Sequence, residues 1–258
     1  MTESLQINKH LSDVVMRQPY PLIFATISGA HLYGFPSEDS DYDMRGVHVL
    51  PVNEVVGLND PHETIENTDD SARLELDLVT HDIHKFALMM LKKNGYVLEQ
   101  LYSPLVIHTS QEHDELKEIG RGCITKHHAH HYLGFVRTQW KLVQQETPSR
   151  IKPLLYVYRV LLTGIHLMRT GEVEANLIRL NEVFSLPYLG QLIQAKVQGA
   201  EKATVADADM SFHEAECARL TRELEEARDA SKLPENPSTR DALHDFVVRI
   251  RMRTAVQP

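Results

Sequence analysis

A change of hydrophobic period near residue 80 constrains this chain more than any other feature. Leu74 to Thr80 sets Leu74, Leu76 and Leu78 on one side and Glu75, Asp77 and Val79 on the other, the period-two pattern of a strand with one polar face. From Ile83 the apolar residues Phe86, Ala87, Met90 and Leu91 recur at helical spacing, with Thr80 or Asp82 as N-cap and Gly95 as the stop. Two earlier strands are expected at Leu22–Ile27, after Pro19 and Pro21, and at Arg45–Leu50, stopped by Pro51. Beyond residue 95 the spacing is helical almost throughout, with helices expected over 96–102, 111–145, 152–170, 187–201, 211–230 and 238–254. The order implies an α/β (α+β) domain over about residues 1–110, a mixed sheet with helices, followed by an all-helical domain over 111–258.

Composition narrows the partners. A net charge of -9, from 27 Lys+Arg against 36 Asp+Glu, argues against coating nucleic acid by bulk electrostatics and leaves only a local patch for a polyanion. Cys123 and Cys217 are the two cysteines, both in stretches read as helices, so a disulfide framework is not expected and a reducing, cytoplasmic setting is. The N-terminal residues have no signal-peptide core, and no apolar run is long enough to cross a bilayer. The charge-dense run Glu214 to Asp229 reads as a solvated helix face.

The chemistry concentrates in two short runs, Ser28 to Gly34 (SGAHLYG) and Ser40 to Gly46 (SDYDMRG). Gly29 and Gly34 lack a Cβ and let backbone N–H groups close on an anion, so the turn through Ser28, Gly29 and Ala30 is a cradle for phosphates. Asp41 and Asp43 lie two apart, and in extended chain their carboxylates point to one side, within reach of a single divalent ion. Hard oxygen ligands beside a phosphate cradle suit magnesium, which completes its octahedron with waters and substrate phosphates. A two-metal displacement wants one more carboxylate. Asp77, mid-strand between leucines, is the candidate, and Glu75 on the same face is the reserve; the alternative is that Asp77 is a solvent-facing residue of an edge strand.

These runs resemble the nucleotidyltransferase signature of the DNA polymerase β superfamily. They come closest to its branch of predicted nucleotidyltransferases associated with RNA repair, which carries a Gly-Ser-His-x-Tyr-Gly and Ser-Asp-x-Asp-x-Arg-Gly pattern. The resemblance runs on through Asp77 to Phe86 and Val97 to Ser103, and more faintly through Lys152 to Arg169. It implies two magnesium ions, with manganese as a substitute, held by Asp41, Asp43 and Asp77. It also implies transfer of a nucleoside monophosphate from a triphosphate such as ATP to a hydroxyl, with release of pyrophosphate. An RNA end is the favoured acceptor and a protein hydroxyl the other; the helical half would bind the acceptor or drive oligomerisation. One departure matters: Ala30 stands where the superfamily usually has serine. Its missing hydroxyl leaves two rivals to the enzyme, a nucleotide-binding regulatory module and an antitoxin-like protein that modifies a partner.

Several neighbours carry two readings each. His31 and Tyr33 touch base or phosphate, or pack under the loop. Arg45 answers a phosphate with its fork, or pairs with Asp41 or Asp43 when no metal is bound. Lys85, in the first turn after the third strand, meets a phosphate or water. His127 and His131 have an i, i+4 spacing that suits zinc on a helix, yet no Cys or carboxylate completes a set, so a polar or RNA-facing helix surface is expected. Arg159 and His166 sit in a stretch read as a buried helix.

Overall fold

A computed structural model describes residues 3–72, 74–145, 148–199 and 207–254. In chain order the elements are α1 (Glu3–Met16), β1 (Leu22–Ile27), α2 (Gly29–Tyr33), β2 (Tyr42–His48), α3 (Val52–Val55), β3 (Thr64–Ala72), β4 (Leu74–Asp82), α4 (Ile83–Leu91), α5 (Gly95–Leu101), β5 (Val106–His108), α6 (Gln111–Arg121), α7 (His128–Gln145), α8 (Ile151–Thr170), α9 (Leu177–Phe184), α10 (Pro187–Gln198), α11 (Asp207–Ala230) and α12 (Arg240–Thr254). No helix among the described residues is long and apolar enough to cross a membrane.

The sheet is mixed, five-stranded and ordered β3-β4-β2-β1-β5. Strand β2 pairs parallel with β4, and the other pairings are antiparallel. The three expected strands form its centre. Strand β2 begins at Tyr42 rather than Arg45, which takes Asp43 into the ladder. The additional strands are the edges: β3 is a polar run without apolar alternation, and β5 has only three residues, so neither carries a hydrophobic signature.

Alternation along the strands sorts the sheet into two faces. Leu11, Val14 and Val15 of α1 pack with Ala25, Ile27, Met44, Leu76 and Leu78 on one face. Phe24 and Val47 pack on the other with Ile83, Phe86 and Met90 of α4, Val97 of α5, Leu116 of α6 and Phe246 of α12. Asp43, Arg45 and Asp77 alternate with Met44, Leu76 and Leu78, and therefore stand on the face away from α1.

The chain divides into two compact units, one of residues 1–28, 41–123 and 237–258, the other of 29–40 and 124–236. In the first unit α6 and α12 add Leu116, Leu243, Phe246 and Ile250 to the apolar cluster over the sheet. The expectation of a single helix over 111–145 is corrected. The chain breaks after Gly122, where Thr125 donates its backbone N–H to His128 Nδ1 at 3.1 Å, and a new helix starts.

In the second unit α8 is buried along nearly its whole length. The charged helix α11 is more than a solvated face: His213, Cys217, Leu220, Leu224 and Ala227 recur at helical spacing and are all buried. Its charges pair along the other face, Arg219 with Glu216 and Glu223 at 3.0 Å, and Arg169 of α8 with Glu223 at 2.7 Å.

Candidate functional site

The parallel ladder sets Asp43 directly opposite Asp77. Neighbouring strands lie about 4.8 Å apart, and partners in register point to the same face, so the two carboxylates project side by side. Asp41 precedes β2 and is exposed. Two acidic groups this close repel each other, and one cation joins them: Arg45 Nη2 lies 2.9 Å from Asp43 Oδ1 and 3.2 Å from Asp77 Oδ2. The rest of the guanidinium is bound as well. Its Nε donates to the Tyr96 hydroxyl at 3.1 Å, and its Nη1 donates to the carbonyls of Met44 at 2.8 Å and Asp77 at 3.0 Å. Nη2 donates to Asp43 Oδ1 and is ion-paired with Asp77 Oδ2, so every nitrogen of the guanidinium has a protein partner. Burial works against the Arg45 charge, but Tyr96, Asp43 and Asp77 outweigh it and hold the group above its usual range. Of the two readings kept open for Arg45, pairing with the acidic residues is the one its contacts describe.

The turn begins beside this pair. Ser28 donates its backbone N–H to the carbonyl of Asp43 at 2.7 Å, which ties the end of β1 to β2 at the acidic position. The Ser28 side chain is fully buried and its Oγ has no hydrogen-bond partner. Gly29 follows with φ 61°, a left-handed conformation that glycine adopts without strain. Gly46, which ends the second run, is needed for space: a Cβ there would lie 2.6 Å from the carbonyl oxygen of Phe24.

Other singled-out residues lie elsewhere. Lys85 Nζ donates to Thr64 Oγ1 at 2.5 Å, and Thr64 pairs with His81, four positions along β4 from Asp77 and so roughly 13 Å away at strand rise. Glu75 is exposed. In the second unit Tyr33 is buried, with the Arg159 guanidinium 3.9 Å from its ring centroid and Tyr156 edge-on at 5.4 Å. Packing is therefore what surrounds Tyr33, and Arg159 is a core residue. The histidine run is split in role: His128 is buried against Thr125, the His127 and His130 rings stack at 5.8 Å, and burial pushes His131 down to about 4.

Tyr96 was not foreseen. A tyrosine opening a helix after an Asn N-cap is an ordinary sequence feature, and only the fold brings its hydroxyl to Arg45. A second unforeseen cluster is Glu63, Asp82 and His84. Among the described residues, theirs are the ligand-type atoms that all lie within 4.8 Å of one another; those of the three aspartates do not. Its donors are already spent. Asp82 accepts from the backbone N–H of Leu50 at 3.0 Å and of His84 at 2.9 Å and is paired with Arg251, so its oxygens are occupied by protein.

Asp41, Asp43 and Asp77 offer oxygen atoms only; Asp43 and Asp77 lie on adjacent strands and share the Arg45 guanidinium, and Asp41 stands just before β2. A mixed sheet with an acidic pair, a facing third carboxylate and a glycine turn defines a nucleotidyltransferase-like protein of the DNA polymerase β superfamily. Residues 4–249 match the RNA repair pathway DNA polymerase beta family, and the chain belongs to that family.

Two relatives are recognisable by sequence. The chain is 34% identical over 155 residues to the uncharacterized protein MJ0002 of Methanocaldococcus jannaschii, a match covering 60% of this chain and 63% of that protein. It is 25% identical over 221 residues to the uncharacterized protein YcgL of Bacillus subtilis, covering 82% and 84%. A nucleotidyltransferase-like protein from Exiguobacterium sibiricum, solved by crystallography, aligns with 98% of this chain and 81% of its own length, at 11% identity and a TM-score of 0.34.

Proposed function

We propose that this protein is a divalent-metal-dependent nucleotidyltransferase that moves a nucleoside monophosphate from a nucleoside triphosphate to a hydroxyl, an RNA end being the favoured acceptor. The observation that carries the reading is the register of Asp43 against Asp77, with Asp41 two residues before Asp43. Asp41, Asp43 and Asp77 would hold magnesium, or manganese in its place. Bound there, the metal supplies charge neutralisation at the phosphates and lowers the pKa of an attacking hydroxyl.

The chain's own part is positioning. The turn opened by Ser28 and Gly29 receives the triphosphate, and the unpartnered Ser28 Oγ supplies the hydroxyl that Ala30 lacks. Asp77 orients the acceptor hydroxyl and takes its proton. The acceptor oxygen bonds to the α-phosphorus as the bond to the bridging oxygen breaks, and pyrophosphate leaves with that electron pair. Tyr33, Arg45 and Lys85 stay further candidates for contacts to the nucleotide; without it Tyr33 lies against Arg159, Arg45 pairs with the carboxylates and Lys85 donates to Thr64.

Purified protein incubated with magnesium, each α-labelled triphosphate, and RNA or protein acceptors tests the reading. Transfer of label that disappears in Asp41→Asn and Asp43→Asn supports it. Ala30 motivates the rival, a module that binds nucleotide without turning it over: a wild-type protein that binds labelled triphosphate and transfers nothing to any acceptor would favour that.

A further inference from the structure

The geometry points to Lys196 of α10 as a positioning residue for Asp41, acting through the Ser37–Ser40 turn that leads the chain into that aspartate. This rests on the reading that Asp41 is a metal ligand.

Asp43 and Asp77 are held in register by the ladder between β2 and β4. Asp41 is not: it is exposed and precedes β2, which starts at Tyr42. Its place depends on the strand after it and on the residues before it. Those residues form a turn closed on itself three times. Ser40 donates its backbone N–H to the Ser37 carbonyl at 3.0 Å, the Ser37 backbone N–H donates to Ser40 Oγ at 2.9 Å, and the two hydroxyls lie 3.1 Å apart. Fixing Ser37 therefore fixes Ser40, and Asp41 is one peptide bond further on. Lys196 fixes Ser37, because its Nζ donates to Ser37 Oγ at 2.5 Å. Lys196, Ser37 and Ser40 belong to one compact unit.

Lys196 stands where the apolar stripe of α10 would take a leucine. Leu189 and Leu192 precede it at helical spacing, all three are buried, and Lys196 is 1% exposed. Among the described residues its ammonium makes that one side-chain hydrogen bond and no ion pair. An ammonium has three donors, and burying it against a single neutral acceptor costs stability that an apolar side chain of the same length would keep. Packing does not account for a lysine here. A directed bond to the turn does, since no apolar side chain can hold the Ser37 hydroxyl in place.

The test is a Mn2+ titration of the full-length protein followed by the electron paramagnetic resonance signal of free Mn2+, beside urea unfolding in EDTA. Lys196→Met keeps an unbranched apolar stem and removes the charge and the donor. Its urea midpoint is expected to equal or exceed that of wild type, because a buried charge is gone. Its Mn2+ affinity is expected to fall roughly 10-fold, the low end of the loss when a group that orients metal ligands is replaced. Ser40→Ala opens the turn without touching α10 and is expected to weaken Mn2+ binding to a similar degree. The double variant should bind no more weakly than the worse single one, because both changes act along one path. Affinity equal to wild type in both single variants overturns the inference, as do losses that add in the double. A Lys196→Met protein that loses stability and keeps its affinity overturns it too, that being the mark of a purely structural tie; if this variant does not fold, Ser40→Ala decides. Weaker Mn2+ binding in Asp41→Asn alongside an unchanged Lys196→Met sinks this inference alone; a wild type that takes up no Mn2+ at millimolar concentration sinks the nucleotidyltransferase reading with it.

Discussion

Strand β4 carries two carboxylates paired with an arginine, Asp82 at its C-terminal end and Asp77 mid-strand toward the other, and the two pairs differ in burial. At one end Asp82 is fully buried, caps α4 through the backbone N–H of His84, accepts from Leu50, and pairs with Arg251, whose Nη1 also donates to the Leu50 carbonyl at 3.0 Å. Toward the other end Asp77 and its partner Asp43 each give Arg45 one oxygen and stay 41% and 34% exposed. The residue types are the same. A carboxylate saturated by protein donors and sealed from water holds the fold together, while one left partly exposed contributes less to it.

The largest effects should separate the two ends by kind. Asp77→Asn should lower nucleotide transfer roughly a thousandfold, corresponding to about 4 kcal/mol of lost transition-state stabilisation at a metal centre. Its urea unfolding free energy should stay within about 1 kcal/mol of wild type, because the ion pair is partly exposed. Asp82→Asn should do the reverse and destabilise the fold by about 3–5 kcal/mol, since it neutralises the fully buried carboxylate that pairs with the largely buried Arg251 guanidinium. Should Asp77→Asn unfold the protein while Asp82→Asn leaves it intact, the comparison is broken.

Acid should find the buried end next. Burial pushes His48 down to about 4, and burial followed by the nearby Lys85 charge does the same for His81. His48 is buried, with its Nδ1 2.9 Å from Thr80 Oγ1 and its ring stacked on Tyr20 at 5.6 Å. Both histidines are neutral in the folded protein at pH values where they are protonated in the unfolded chain. The unfolded state then binds more protons, so stability rises with pH. The contribution is complete above about pH 6.5 and is lost as pH falls toward about 4. Urea midpoints measured from pH 7 to pH 4 should decline over that window, and His48→Gln should flatten the decline. An equally steep decline in the variant would remove His48 as a source.

The sequence carried the inner strands and marked Asp41, Asp43 and Asp77 as candidates because each has a local signature. Leu74, Leu76 and Leu78 alternate with acidic residues, Asp41 and Asp43 sit at strand spacing beside a glycine turn, and Asp82 has an N-cap's place before an apolar run. Strand β3 had no such signature, since an edge strand solvated along one side can be polar throughout. The buried face of α11 was concealed by its charges, because a stripe of Leu220, Leu224 and Ala227 suffices when α8 supplies the opposing surface. Arg45 was legible as a residue of interest but not in its bonding. Its anchors are Tyr96, from another element, and two backbone carbonyls, which no side-chain pattern announces.

The smallest effect belongs to the cluster that imitates a metal site. Glu63, Asp82 and His84 meet the distance requirement for three ligands, yet Asp82 is committed to Arg251 and two backbone donors, which leaves an exposed pair, His84 Nδ1 to Glu63 Oε1 at 3.0 Å. Exposed pairs contribute about 0.2–1 kcal/mol. Glu63→Gln should therefore shift the unfolding free energy by less than about 1 kcal/mol and leave Mn2+ affinity unchanged. A weakened Mn2+ isotherm in that variant would mean that proximity outweighs prior commitment, and would move the metal from the open end of β4 to the closed one.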